Sequence, residues 1–544
     1  MEQVTLNIID GMIIICYLVG IIGYGISKGK EKSSEDYFLA GRNLTWPIVG
    51  ISLFAANIGS STLIGLTADA FKTNIAVYNY EWMAAVVLVI FALFFMPFYL
   101  NSKVYTMPEF LERRYDSRAR YFFSIITIVG NVIIDTAAGL YAGNLILKII
   151  FPELDSTIII TLLAIAAAAY TIPGGLSAVV HTEVIQAIIL VMGSIALTYF
   201  CLDQVGGWSG MMAGLDALNQ SGKLNKSSDE VFSLVGSIND PYMPWTGLVF
   251  GIPSLGFYFW ANNQFMVQRV LSARDLNHGR WGALFASLLK LPVIFIMIVP
   301  GVIAIVLFSD TDISGFNYLI PTSTGMVVCS QLSDCPNMTY PVLIYSLLPV
   351  GILGWVIAGL LAAMSSSISA TLNSASTLIT MDFVLKLKPN LSSKNLVTSG
   401  QIATVILVML AAAWAPQIEK FSSLWEYLQL VLGFIAPPVV SVFLLGLFWK
   451  RGNANGAFTS LLGGLILSII LILSKVNHWF PVINDIHFLQ TVPPSQEKIE
   501  NMTWTKAIFN QENQELTALV WYKNYHNLAV LLLLLTALIV DYFI

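Results

Sequence analysis

The sequence predicts an all-α polytopic membrane protein whose core is two sets of five spans, one inverted relative to the other. Three observations predict it. Charged residues make up 11% of the chain and hydrophobic ones 56%, with a mean hydropathy of +0.74, whereas a soluble domain carries roughly a quarter charged residues. Apolar runs near the roughly 20 residues that a span requires recur about thirteen times. Two of these runs, at corresponding places, are interrupted by small polar residues, the sequence mark of a transporter's central site.

Hydropathy puts the spans near 8–26, 47–71, 79–100, 119–150, 157–171, 180–203, 245–268, 281–308, 341–380, 396–418, 421–449, 455–476 and 526–544. The first run, from Ile8 to Ile26, has no basic leader or small-residue cleavage site and reads as a retained span rather than a signal peptide. The region 341–380 is long enough for a span plus a connecting helix. Lysine and arginine fall on alternate connections: Lys28, Lys30, Lys32 and Arg42, then Lys103 to Arg120, Arg269 to Arg280, Lys386 to Lys394, and Lys450 with Arg451. That bias makes those connections cytoplasmic, with the N-terminus outside and the C-terminus inside.

The second span holds the first interruption, Asn57, Gly59, Ser60, Ser61 and Thr62 between apolar flanks. Hydroxyls and glycine weaken a helix in lipid, and unwound backbone is tolerated only where it lines a cavity. Opened carbonyls there could hold a small cation, and Asn57 offers an amide to a polar solute; a helix packed through its small residues is the alternative. With the N-terminal span set aside, ten spans divide into two fives starting near 47 and 245. The second five opens on Phe250 to Gln264, broken by Gly, Pro, Ser and Asn. An odd number of spans per half inverts the halves, the arrangement of the LeuT-type fold. The expected organisation is an extra N-terminal helix and its connection (1–46), a first repeat (47–203), an external loop (204–244), a second repeat (245–450), and two C-terminal helices with a loop (451–544).

Charges within spans are costly in lipid and mark function by default. Glu81, Glu183, Lys290, Asp135 and Glu426 are the candidates; Asp135 reads as a structurally paired charge and Glu426 as an interfacial one. A neutral polyol needs several donors and acceptors around its hydroxyls and a ring under its apolar face. Asn57, Glu81, Asn263, Lys290 and Gln429 could supply the first, Phe259 and Trp260 the second. In the serine-rich run from Ala362 to Thr377, Ala363, Ser366, Ser367 and Ala370 share roughly one helical face. Hydroxyls and carbonyls there suit a hard monovalent cation, although such faces also serve as packing seams.

The remaining chemistry is thin. Cys16 and Cys201 fall in spans, and Cys329 and Cys335 flank a short polar loop where a disulfide and free thiols are both open. Five scattered histidines and no nucleophile–base pair argue against an enzyme. No basic, aromatic-interleaved patch suggests nucleic acid. The expected partners are a solute, an ion and membrane lipid, with a monomer as the working unit and oligomers allowed.

Several motifs resemble the solute:sodium symporter family. They are Asp36 to Gly41, Ala55 to Gly59, Glu81-Trp82, Tyr105 to Glu109, Gly174 to Val179, Gln268-Arg269, Asn373 to Thr377, Thr380 to Asp382 and Phe443 to Lys450. Asn57, Glu81, Lys290 and Gln429 together are similar to its sodium/glucose (galactose) branch. The resemblance implies a five-plus-five inverted repeat and sodium-driven sugar uptake across a plasma membrane, of bacterial inner-membrane type given the short loops. It also implies a sodium site made by backbone oxygens of Ala55, Ile58 and Ala363 with the hydroxyls of Ser366 and Ser367. Glu81, Lys290 and Gln429 match sugar positions; Asn57, Trp260 and Asn263 match positions around the inner gate, with Phe259 the gate ring. Phe259 replaces the family's tyrosine, Gly256 an asparagine and Thr62 a histidine or glutamine, so the sugar's identity stays open, with myo-inositol, another solute, or a sensor that binds without transport as alternatives. A second sodium position would involve Glu183 and Ser369, but Ala370 makes that match incomplete and one sodium is expected. Mammalian-type relatives carry a further span beyond the point matching Ile544.

Overall fold

In the absence of water, backbone N–H and C=O groups in lipid must bond within their own segment. The computed structural model describes residues 6–29, 33–237, 240, 242–322, 325–420 and 424–476, and they are mostly helical. The expected loop at 477–525 and the expected last span, 526–544, lie outside the described residues.

The bundle starts with α1 (Ile8–Lys28), N-capped by the Asn7 side chain and ended by a lysine that suits the helix dipole. The expected second span is two helices, α2 (Trp46–Asn57) and α3 (Ser60–Lys72), bent by 57° at Ile58 and Gly59. Next come α4 (Ile75–Ser102) and α5 (Ser117–Ile150), and each contains a π-helical turn.

The spans expected at 157–171 and 180–203 form one run, α6 (Ser156–Gln204), turned sharply at Pro173 to Gly175. Proline removes a backbone donor, and Gly175 takes the left-handed value φ +54° that side chains disfavour. The corner packs against Tyr37, whose hydroxyl donates to the Ile172 carbonyl at 2.8 Å. The kink at Gly175 divides the run where the two expected spans meet.

The second interrupted span is α7 (residues 247–262) and α8 (Gln264–Leu271), separated by Asn263 in an extended conformation. Then α9 (Leu276–Lys290) and α10 (Ile294–Phe308) meet at a 41° bend. The region 341–380 contains a short helix, α11 (Thr339–Leu347), before the long α12 (Ile352–Leu387), as its length suggested. The described chain closes with α13 (Ser393–Ile418), α14 (Leu424–Phe448) and α15 (Ala454–Val476). Among the described residues, seven helices are long and apolar enough to cross a bilayer, or nine if each bent pair is one span.

Polar contacts fix the order of packing. Asp10 of α1 is fully buried and accepts from the Gly351 and Gly354 N–H groups at 2.7 Å each, which caps the start of α12. Toward the other end of α12, Asp382 pairs with Arg120 of α5 at 2.6 Å and accepts from Thr106 and Ser124. Between α10 and α11 the polar segment holds a small hairpin, β1 (Leu319–Thr322) with β2 (Gly325–Val328), which the polarity of the sequence did not announce. Cys329 and Cys335 are joined by a disulfide just beyond it.

A Cβ at Gly175 would lie 2.4 Å from the Tyr37 carbonyl oxygen, whereas one at Gly206, also at positive φ, meets nothing within 4 Å. Both Gly→Ala variants bear a positive-φ backbone penalty of about 1–3 kcal/mol. Gly175→Ala should cost a further ~1–3 kcal/mol from overpacking. Thermal unfolding of the two purified variants checks this, with Gly175→Ala expected to melt clearly lower.

Candidate functional site

The break between α2 and α3 changes what the α2 carbonyls can do. In an unbroken helix the Ala55 carbonyl would accept from Gly59 N–H. Here that N–H turns to the Asn57 carbonyl at 3.0 Å, and the Ile58 N–H bonds the Phe54 carbonyl at 3.1 Å. The serine face of α12 fills the gap. Ser366 Oγ donates to the Ala55 carbonyl and Ser367 Oγ to the Ala56 carbonyl, both at 3.2 Å. Gly59 permits this approach, because a Cβ there would lie 2.4 Å from Ser367 Oγ.

The break and the serine run, far apart in sequence, therefore meet. Ala55, Ile58, Ala363 and Ser366 are all buried there, and Ala363 sits one turn before Ser366 and Ser367 on the same helix. These are neutral oxygen donors, the set that suits a hard monovalent cation. Among the described residues no cluster of three or more His, Cys, Asp or Glu could hold a metal ion.

Directly beside the seam lies a cavity of about 830 Å³, counted with its open mouth. Asn57, Thr62, Glu81, Gly256, Phe259, Trp260 and Gln429 line it, and Ser367 belongs to both its wall and the seam. Lys290, fully buried at the end of α9, donates to Asn57 Oδ1 and, at 2.5 Å, to Glu81 Oε2. Its ammonium also sits 5.3 Å from the centroid of the Trp260 ring. Glu81 and Lys290 thus answer each other's charge while Glu81 keeps a face on the cavity.

Two expectations meet a different arrangement. Asn263 does not line the cavity; it caps α8 by accepting from Phe265 N–H at 3.4 Å, and so serves the second break. Glu183 and Ser369 each have partners within the bundle. Glu183 is buried in an ion pair with Arg269 and accepts from Ser52, tying α2, α6 and α8 together. Ser369 is hydrogen-bonded to Tyr170 and Thr171, both at 2.7 Å.

The sequence reading also missed part of the wall. Tyr80 and Trp425 line the cavity and contact each other edge-on at 5.1 Å between centroids. Their position at the starts of two spans was the available signal. Asp135, read as a paired charge, also faces the cavity and has no ion pair or hydrogen bond with a described residue.

The model of the sodium:solute symporter family matches residues 37–464. The chain belongs to this family. It is 34% identical over 505 residues to a sodium/mannose cotransporter from Bos taurus, covering 89% of this chain and 84% of that one. It is 34% identical over 479 residues to a sodium/glucose cotransporter from Vibrio parahaemolyticus, covering 86% and 85%. A sodium/myo-inositol cotransporter 2 from Oryctolagus cuniculus is 31% identical over 535 residues, covering 91% and 78%. Among solved structures, a substrate-bound, outward-open Na+-coupled sialic acid symporter superposes with a TM-score of 0.71 at 21% identity, covering 99% of this chain and 98% of that one.

This symporter accordingly has the LeuT-type fold, spans the membrane several times and couples solute movement to sodium. The family and these relatives are transporters.

If the seam holds the sodium ion, Ser367→Ala should raise the sodium concentration for half-maximal transport by about tenfold, the scale of one lost charge-assisted contact. Gly59→Ala should act in the same direction by pushing α12 off the break. Sodium titration of transport rate in liposomes is the measurement.

Proposed function

We propose that this symporter imports a neutral polyol, a sugar of the glucose or galactose class, with sodium by alternating access. One observation carries the reading: a mid-bundle cavity presents Asn57, Gln429 and the Glu81–Lys290 pair around the Phe259 and Trp260 rings, against the wall that contains Ser367. Amides, a carboxylate and an ammonium satisfy hydroxyls from several sides, while rings cover the apolar face of a pyranose.

In this reading sodium sits among the oxygens of Ala55, Ile58, Ala363, Ser366 and Ser367 and braces the broken α2–α3 span against α12. Bracing stabilises the cavity wall at Asn57, Thr62 and Ser367, so the solute binds more tightly, and the coupling is reciprocal. One sodium per cycle is the expectation, because Glu183 is committed to Arg269 and Ser369 to Tyr170 and Thr171. Phe259, at the cavity edge, would cover the solute as a gate without offering a hydroxyl. The two repeats, 47–203 and 245–450, would rock against each other about this site, with the N-terminus outside and the basic connections cytoplasmic. The membrane potential contributes about 2.3 kcal/mol per charge per 100 mV.

A second reading, myo-inositol, is favoured by the similarity to a sodium/myo-inositol cotransporter 2. Liposomes with an inward sodium gradient should accumulate labelled glucose or galactose, and potassium should not replace sodium. Competition by inositol alone would move the assignment to inositol, and binding without accumulation would make the protein a sensor. Gln429→Ala should lower sugar affinity by about tenfold through one lost hydrogen bond and an unpaired partner; unchanged affinity would remove Gln429 from the site.

A further inference from the structure

Asp135 is the group in the cavity that a neutral solute leaves unexplained. It lies in the π-helical turn Asn131–Thr136 of α5, a geometry that recurs at functional positions. The turn is pinned on both sides of it. The Asn131 amide donates to Ser374 Oγ at 3.1 Å, and the Thr136 and Thr371 hydroxyls bond at 2.7 Å, so α12 fixes where Asp135 stands. Its carboxylate lines the same cavity as Glu81 and Gln429.

The charges there do not balance. Glu81 is answered by Lys290. Asp135 has no ion pair or hydrogen bond with a described residue. The nearby Tyr427 hydroxyl donates to the Ile133 carbonyl at 3.0 Å, and the Tyr258 phenol is buried on α7. The described lining therefore carries one half-buried acidic side chain that no described residue answers, and a cation beside it would stabilise its charged form.

We propose that Asp135 is a seat for a positive charge on the solute, and that this cavity takes amino polyols, sugars bearing a protonated amine, in preference to their neutral counterparts. The inference rests on the polyol reading of the cavity and departs from it in one respect, the charge of the solute, which becomes positive rather than neutral. The solute's hydroxyls engage Asn57, Glu81 and Gln429, its ammonium pairs with Asp135, and the aromatic walls at Trp260 and Trp425 add cation–π attraction.

Binding to the purified, sodium-loaded protein, read by calorimetry, tests it with glucosamine, glucose and 2-deoxyglucose as probes. Glucosamine should bind at least about tenfold tighter than either neutral sugar, the scale of one charge-assisted hydrogen bond. Asp135→Asn should abolish that preference, bringing glucosamine to the affinity of the neutral sugars. Equal binding of glucosamine and the neutral sugars to the wild-type protein overturns the proposal and leaves the polyol reading intact. A preference that survives in Asp135→Asn also overturns it. Binding of none of the three sugars overturns the polyol reading and this inference together. The wild-type comparison decides the matter even if the variant does not fold.

Discussion

The structure depends on one constraint: no backbone polar group can be left open in lipid. The α2–α3 span violates the simplest way of meeting it, and the serine face of α12 restores the balance at Ala55 and Ala56. Two helices distant in sequence are thereby committed to one contact. That contact is made of hydroxyls and carbonyls and is adaptable, since the same oxygens can turn toward a cation. A seam of leucines would pack as well and could do nothing further.

The same economy governs the buried charges. Arg269 with Glu183, Arg120 with Asp382 and Lys290 with Glu81 each join different helices. Breaking such a pair strands a charge and costs several kcal/mol, so these pairs hold their helices together. Asp10, capping α12, brings the N-terminal helix into the same scheme. Lys290 differs from the rest because its partners, Asn57 and Glu81, also face the cavity, so any solute there acts on a pair that links α2, α4 and α9.

Much of this was legible in the sequence. Glycine and hydroxyl residues inside an apolar run marked the α2–α3 break, and Asn57, Glu81, Trp260 and Gln429 do converge on one cavity. What stayed hidden depended on three-dimensional partners. Nothing local distinguishes Asn263, which caps α8, from Asn57, which faces the cavity. Asp135 looked like one more charge awaiting a partner, and only the packing around it reveals that none is supplied among the described residues.

The central claim is that the braced break and the cavity form one thermodynamic unit. Calorimetry on the detergent-solubilised protein tests it through two titrations: the transported sugar with and without saturating sodium, and sodium with and without saturating sugar. The account predicts that sodium tightens sugar binding, that sugar tightens sodium binding by the same factor, and that Ser366→Ala with Ser367→Ala shrinks both factors together. Sugar affinity independent of sodium would contradict it.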